Sequence, residues 1–295
     1  MEPISIAENI LKNYDIKPII KIEKTQKGSG NTYYIETAKE KYVAKLNERR
    51  DFVFLYHKIV ATLTKLNHVL SKIIRTKTGD LMTSEALVLY SFLSGETHDT
   101  LTTSQTGSAL RYIKRFNSDL MNVPFTPSEI MEFNDWDKAK SLDFLVNHFR
   151  YNHFPLNEYN ISLITKAIQI LKENLTIFSG LPKQLIHSDL GADNFIFIND
   201  GTCSIIDFTP EYEHEIYSLC QFCYWNFYWL LQKNEKLIDD WLEFYYQRQL
   251  SKSEKELFNF YMVKAALSRI AGPLIAGKIN LDKRFAILER VIANV

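Results

Sequence analysis

His187-Ser188-Asp189-Leu190-Gly191-Ala192-Asp193-Asn194, then Phe195-Ile196-Phe197-Ile198, Asn199-Asp200-Gly201 and Thr202-Cys203-Ser204-Ile205-Ile206-Asp207, is the stretch that decides the reading of this chain. The residues after Asn194 read as a strand, Asn-Asp-Gly as a hairpin turn and the rest as the return strand. Such a hairpin brings Asp207 back beside Asn194. The four residues between Asp189 and Asn194 let the loop curl so that both side chains face one place. An Asp so placed can orient a hydroxyl and take its proton. An Asn carbonyl and a second Asp are oxygen ligands of the kind Mg2+ prefers. Asp and Asn are common in loops because they cap turns; the added strand, turn, strand and terminal Asp give the pattern its specificity.

The chain has 295 residues, enough for one large domain or two lobes. It is 46% hydrophobic and 24% charged, an ordinary globular balance. Lys+Arg and Asp+Glu are both 35, so the net charge is zero. A nucleic-acid or anionic-membrane surface would need a basic excess, and neither partner is expected. No run of about 18 apolar residues is present, so no membrane-spanning helix is expected. Met1-Glu2-Pro3-Ile4-Ser5 lacks the basic region and apolar core of a secretory leader, which points to the cytoplasm. Three cysteines do not suggest a disulfide framework. Cys220-Gln221-Phe222-Cys223 is nominally a redox or zinc pair, but its flanks, Tyr217, Leu219, Tyr224, Trp225 and Phe227, read as core.

Residues 4–14 suit a short amphipathic helix. Ile19–Lys24, Thr32–Thr37 and Lys41–Leu46 read as strands rich in Tyr, Ile and Val. Residues 51–68 carry an apolar helical stripe of Phe52, Leu55, Ile59, Leu63 and Leu66. Residues 70–93 hold two or three strands, ending in Ala86–Leu93. Ser94-Gly95-Glu96 reads as a break. Beyond it helices are expected over 104–121, 137–149, 158–177, 214–232, 236–248, 252–271 and 281–293, interrupted by the segment 184–208. The pattern is an α+β chain: a strand-rich N-terminal lobe (1–94), then a larger helical lobe (95–295), with the site residues at the cleft between them.

Gly28-Ser29-Gly30 lies at a strand-to-strand turn, where two glycines let backbone N–H groups approach phosphates. Asn31 follows. Lys45 lies in Tyr42-Val43-Ala44-Lys45-Leu46, on the third strand. No Glu occurs from 49 to 84 to pair with it; Glu48 and Asp51 are the nearby acids. Glu211, Glu213 and Glu215 either meet a cationic ligand or form a solvated acidic loop. Tyr224, Trp225, Phe227, Tyr228 and Trp229 either cage a quaternary ammonium group or pack in the core.

Taken together, Gly28-Ser29-Gly30-Asn31, Lys45, His187-Ser188-Asp189 with Asn194, and Ile205-Ile206-Asp207-Phe208 resemble the aminoglycoside phosphotransferase and choline kinase-like superfamily, small-molecule relatives of protein kinases. The stretches Asn31–Thr37, Asp51–Leu55 and Ala86–Gly95 are nearest in feel to its homoserine-kinase-like branch. The resemblance implies a protein-kinase-like two-lobed fold. It makes Asp189 the catalytic base, with His187 in the same loop, and Asn194 and Asp207 the Mg2+ ligands. It assigns Gly28, Ser29, Gly30, Asn31 and Lys45 to ATP, with Phe92, Leu93 and Ser94 at the adenine. Two departures stand out. Asp207-Phe208-Thr209 replaces Asp-Phe-Gly, and Tyr217-Ser218-Leu219-Cys220 lacks the Asp of the family's Tyr-Asp-Leu-Ala stretch.

The expectation is an ATP- and Mg2+-dependent phosphotransferase acting on a hydroxyl of a small molecule: an amino alcohol, a homoserine-like compound, a sugar or an aminoglycoside. The alternative is a non-catalytic nucleotide-binding or adaptor protein on the same fold.

Overall fold

The computed structural model describes residues 3–25, 31–46, 48–126, 156–178, 180–199, 201–277 and 280–295, together with 129 and 147. The expected helix over 137–149 and the turn residues Gly28, Ser29 and Gly30 lie outside the described residues. The chain divides into two units, Met1–Glu96 and Thr97–Val295.

In the first unit, β1 (Ile19–Lys24), β2 (Thr32–Thr37), β3 (Lys41–Lys45), β4 (Ile73–Ile74) and β5 (Val88–Ser91) form one antiparallel sheet in the order β1-β2-β3-β5-β4. Alternation along β5 assigns its two faces. Leu87 and Leu89 join Tyr33, Ile35, Tyr42 and Ala44 in a core closed by Ile6, Ile10 and Tyr14 of the amphipathic α1 (Pro3–Asn13). Burial pushes the Tyr14 hydroxyl up to about 12, and it donates to the Leu87 carbonyl at 3.0 Å. Tyr90 points the other way and meets Tyr56 of α2 (Arg50–Lys65) edge-on at 5.8 Å. The stripe of α2 runs through Leu55, Ile59 and Leu63 as its period requires, widened by Val53, Tyr56 and Val60.

The second unit holds α3 (Thr103–Leu120), α4 (Glu158–Phe178), α5 (Ile216–Cys223), α6 (Lys236–Tyr246), α7 (Lys252–Ile275) and α8 (Asp282–Ile292). Capping boxes start α3 at Thr102/Gln105 and α7 at Ser251/Glu254, each satisfying two otherwise orphaned N–H groups. From Leu257 to Ala271 helix α7 is buried on nearly every side, Lys264 and Ser268 included, and it packs against α4, α5 and α8. Each large side chain it buries, such as Leu267 or Ile270, contributes about 1.5–3 kcal/mol. Pro273 sits in its last turns. Lacking an N–H, Pro273 leaves the carbonyl four residues back, that of Arg269, without a helical donor. Arg284 of α8 supplies one at 2.7 Å.

Two short antiparallel ribbons complete this unit. One pairs β6 (Gln184–His187) with β9 (Pro210–Glu213), and the other pairs β7 (Phe195–Asn199) with β8 (Thr202–Ile205). Strand β9 corrects the reading of Glu211 and Glu213 as a solvated loop: both are buried. The expected helix 214–232 begins at Ile216 and widens into a π turn over Tyr224–Tyr228, where Trp229 N–H reaches the Tyr224 carbonyl five residues back at 2.8 Å. Cys203, Cys220 and Cys223 are free and buried, and burial pushes the Cys220 and Cys223 thiols far up. That is the chemistry of core residues, as their flanks implied.

Candidate active site

Strand β6 ends at His187, and β7 starts after a single 3-10 turn, Ala192–Asn194. Everything between is pinned by hydrogen bonds. His187 is 1% exposed. Its Nδ1 accepts from the backbone N–H of Asp189 at 3.1 Å and of Thr209 at 3.4 Å. Two donors aimed at one ring nitrogen place the proton on Nε2, which donates to the Ile206 carbonyl at 3.4 Å. One imidazole thus ties the start of the loop to the segment carrying Asp207. Phe208, buried, packs edge-on against His187 at 5.1 Å and against Phe116 at 5.7 Å.

Asn194 donates its side-chain amide to the Asp189 carbonyl at 2.9 Å, closing the curl that the spacing implied. Ile206 N–H donates to the Asn194 carbonyl at 2.9 Å. The β7–β8 ribbon therefore returns Asp207 to the neighbourhood of Asn194, as the hairpin pattern requires. Asp207 is exposed and held at φ +52, a left-handed conformation uncommon for a residue with a side chain and frequent at functional sites.

Asp189 is gripped by Trp225, which the sequence marked only as part of an aromatic run, and by Arg269, which it did not mark at all. Trp225 donates its indole N–H to Oδ1 at 3.0 Å, and Arg269 reaches the same oxygen at 3.1 Å. Arg269 also donates to the Ser188 carbonyl at 2.8 Å and twice to the Gln221 side-chain carbonyl, at 3.1 and 2.7 Å. It lies over the Trp225 ring at 4.9 Å. Asn226 donates to the Leu190 carbonyl at 2.9 Å, and Ser218 to the His187 carbonyl at 3.3 Å. Ser218 stands where the family pattern has Asp, and it still bonds the loop. The π turn presents Trp225 and Asn226 together to the loop. Arg269 is 80 residues from Asp189 in sequence, and no local pattern marks it.

The two features read as possible receivers of a cationic ligand are engaged by the protein itself. Lys264 of α7, 4% exposed, pairs with Glu211 at 3.3 Å and Glu213 at 2.7 Å, and lies over the Tyr217 ring at 4.4 Å. Lys183 and Tyr261 also hold Glu213. Burial alone would raise its carboxyl; the two lysines overcome that and bring it down to about 2. Of the aromatic run, Tyr224, Phe227 and Tyr228 are buried core. Trp225 and Trp229 are half-buried and carry Arg269, Arg284 and Lys283 on their faces.

The remaining site residues belong to the first unit. Lys45 ends β3, opposite Thr32 and Val88, with its ammonium 5.9 Å from the Tyr90 ring centroid. Asn31 is alongside, its carbonyl accepting from Leu46 N–H at 2.9 Å. Asp51 is paired with Arg49. Phe92 donates its backbone N–H to the Lys41 carbonyl at 3.2 Å and meets Tyr34 edge-on; Leu93 and Ser94 follow. Lys45 and Phe92 thus flank opposite ends of β3, about 13 Å apart at a strand's rise per residue.

Residues 21–210 match the model of the phosphotransferase enzyme family, and the chain belongs to that family. Its fold is that of the protein-kinase-like small-molecule phosphotransferases. It superposes on the choline kinase LicA from Streptococcus pneumoniae with a TM-score of 0.67 at 14% identity, covering 99% of this chain and 98% of that one. For aminoglycoside phosphotransferase APH(4)-Ia the TM-score is 0.72 at 14% identity, covering 99% of each chain. For spectinomycin phosphotransferase APH(9)-Ia, solved with ADP and spectinomycin, it is 0.64 at 15% identity, covering 100% of this chain and 97% of that one. No curated protein sequence matches the chain. Among the described residues no helix is long and apolar enough to cross a membrane.

Proposed function

We propose that this phosphotransferase moves the γ-phosphoryl group of ATP, with Mg2+, to a hydroxyl of a small molecule. The reading is carried by the convergence of Asp189, Asn194 and Asp207 on one loop and ribbon, fixed by His187. The donor set suits a hard cation. Asn194 spends its amide on Asp189, and its side-chain oxygen accepts no hydrogen bond among the described residues. The exposed Asp207 carboxylate is the second oxygen donor. Mg2+ held there would neutralise charge on the phosphates.

Asp189 orients the acceptor hydroxyl and takes its proton. The hydroxyl oxygen bonds to the γ-phosphorus as the bond from that phosphorus to the bridging β-phosphate oxygen breaks, and ADP leaves. Trp225 and Arg269 hold the Asp189 carboxylate in one orientation, so little reorganisation is needed when the proton moves. Lys45, with Gly28, Ser29, Gly30 and Asn31, holds the phosphates, and Phe92, Leu93 and Ser94 receive the adenine; the span along β3 suits a nucleoside polyphosphate. Dependence on an ATP pool supports a cytoplasmic setting.

The test is calorimetry with Mg-ATP followed by a screen of amino alcohols, hydroxy acids, sugars and aminoglycosides for ADP release. Asp189→Asn should lower turnover by about 10²–10⁴-fold with nucleotide binding intact, the usual loss for a general base. Unchanged turnover would remove Asp189 from that role. Nucleotide binding with no ADP release for any acceptor would favour the non-catalytic alternative.

A further inference from the structure

We propose that the acceptor carries an anionic oxyacid group, a carboxylate or phosphate, which docks on Arg284 and Lys283 along the Trp225–Trp229 face beside Asp189. The proposal rests on the phosphotransferase reading above and names the chemistry of its acceptor.

Arg284 lies 5.9 Å from the centroid of the Trp225 ring, whose indole N–H bonds the Asp189 carboxylate. One indole therefore links the cation to the carboxylate that would receive the hydroxyl proton. The two tryptophan rings meet edge-on at 5.2 Å. Arg284 is 5.2 Å from the Trp229 centroid and Lys283 is 4.1 Å from it. Trp225, Trp229 and Arg284 are half-buried and Lys283 is exposed, so a ligand can reach the face, and water screens the Arg284 charge less than in bulk.

Among the described residues the charge there is uncompensated. Arg269 is matched by Asp189. Among the described residues neither Lys283 nor Arg284 forms an ion pair with any carboxylate, Asp282 beside them included. Two positive groups thus line the Trp225–Trp229 face with no carboxylate paired to them among the described residues. Guanidinium and ammonium groups recognise carboxylate and phosphate oxygens, the guanidinium by paired N–H donors.

The arrangement is held at a cost, which argues against accident. Pro273 frees the Arg269 carbonyl, and Arg284 is anchored on it at 2.7 Å. Gln221, wholly buried, gives its carbonyl to Arg269, leaving its own amide N–H group without an acceptor. Buried unsatisfied polar groups are rare in native proteins and often accompany function.

The same cations oppose a positively charged acceptor. Its two natural receivers are taken: Glu211 and Glu213 by Lys264, and the faces of Trp225 and Trp229 by the protein's own cations. Like charges repel more strongly in a partly dry site than in bulk water.

The experiment is calorimetry on the full chain with four hydroxylated probes: glycerol 3-phosphate and L-malate as anions, glycerol as neutral, choline as cation. At least one anion should bind about tenfold or more tighter than glycerol and choline, weakening with salt. Lys283→Glu with Arg284→Gln should abolish that preference, while Lys283→Arg retains it. Choline binding as tightly as both anions, or a preference unchanged in the double variant, overturns the proposal. So does failure of both anions to bind. The wild-type ranking decides the matter even if the double variant does not fold. ADP release is measured separately, so an anion-binding protein without turnover would sink the phosphotransfer mechanism and leave the subsite standing.

Discussion

Trp225 donates its indole N–H to Asp189 at 3.0 Å, and replacement by Phe would keep the ring while removing that one bond. A hydrogen bond to a charged group contributes about 1.5–3 kcal/mol, so Trp225→Phe should lower kcat by roughly tenfold or more. Nucleotide affinity should not change, because no nucleotide contact is assigned to this residue. Steady-state kinetics with the acceptor that the screen identifies would check both, and a loss confined to nucleotide KM would contradict the assignment. At this scale the sequence was legible where placement depends on spacing within one loop. His187, Asp189, Asn194 and Asp207 are set by a curl and a hairpin whose signals are local. Arg269 was not legible, because the contact that gives it meaning spans 80 residues and its own helix offers only an ordinary arginine. Trp225 stood in a run of aromatics whose bulk suits a core equally well.

Strand β9 shows the same limit for an element. Pro210-Glu211-Tyr212-Glu213 carries two acids, and a charge-rich stretch ordinarily faces water; Lys264 arrives from α7 to pair with both and makes burial tolerable. Lys264→Met would leave two buried carboxylates without that cation. It should destabilise the protein by about 3–5 kcal/mol in chemical denaturation, as breaking buried pairs usually does. A loss below about 1 kcal/mol would mean that water already reaches the network. The long strands and helices were legible from period, since each buries one face. The π turn at Tyr224–Tyr228 was not, because a widened turn has no compositional signature. The shortness of β4 and β5 is likewise a matter of pairing rather than propensity.

For the whole molecule, Glu213 contributes to the acid limb of stability. Its carboxyl sits at about 2 in the folded protein against an ordinary 4.5, so the unfolded chain binds the proton more readily. That stabilisation is complete above about pH 4.5 and is lost as pH falls toward 2. Glu213→Gln should flatten this part of a Tm-against-pH curve; an unaltered slope would assign acid sensitivity to other carboxyls. All three thiols are buried, and burial raises their pKa, so the native protein should not react with a thiol reagent and the unfolded chain should react three times. Fold and family were legible because the order of parts along the chain survives where identity does not: superposition covers nearly whole chains at 13–15% identity. The acceptor was not legible, since its chemistry depends on which side chains neutralise one another in three dimensions.

Pro273 turns this into a trade between sturdiness and selectivity. Proline in a helix interior costs about 3 kcal/mol, less near an end, so Pro273→Ala should make α7 a better helix. The restored N–H would then compete with Arg284 for the Arg269 carbonyl. A thermostabilising screen would favour that substitution, and the anion discrimination proposed for this face should loosen in the variant that melts later.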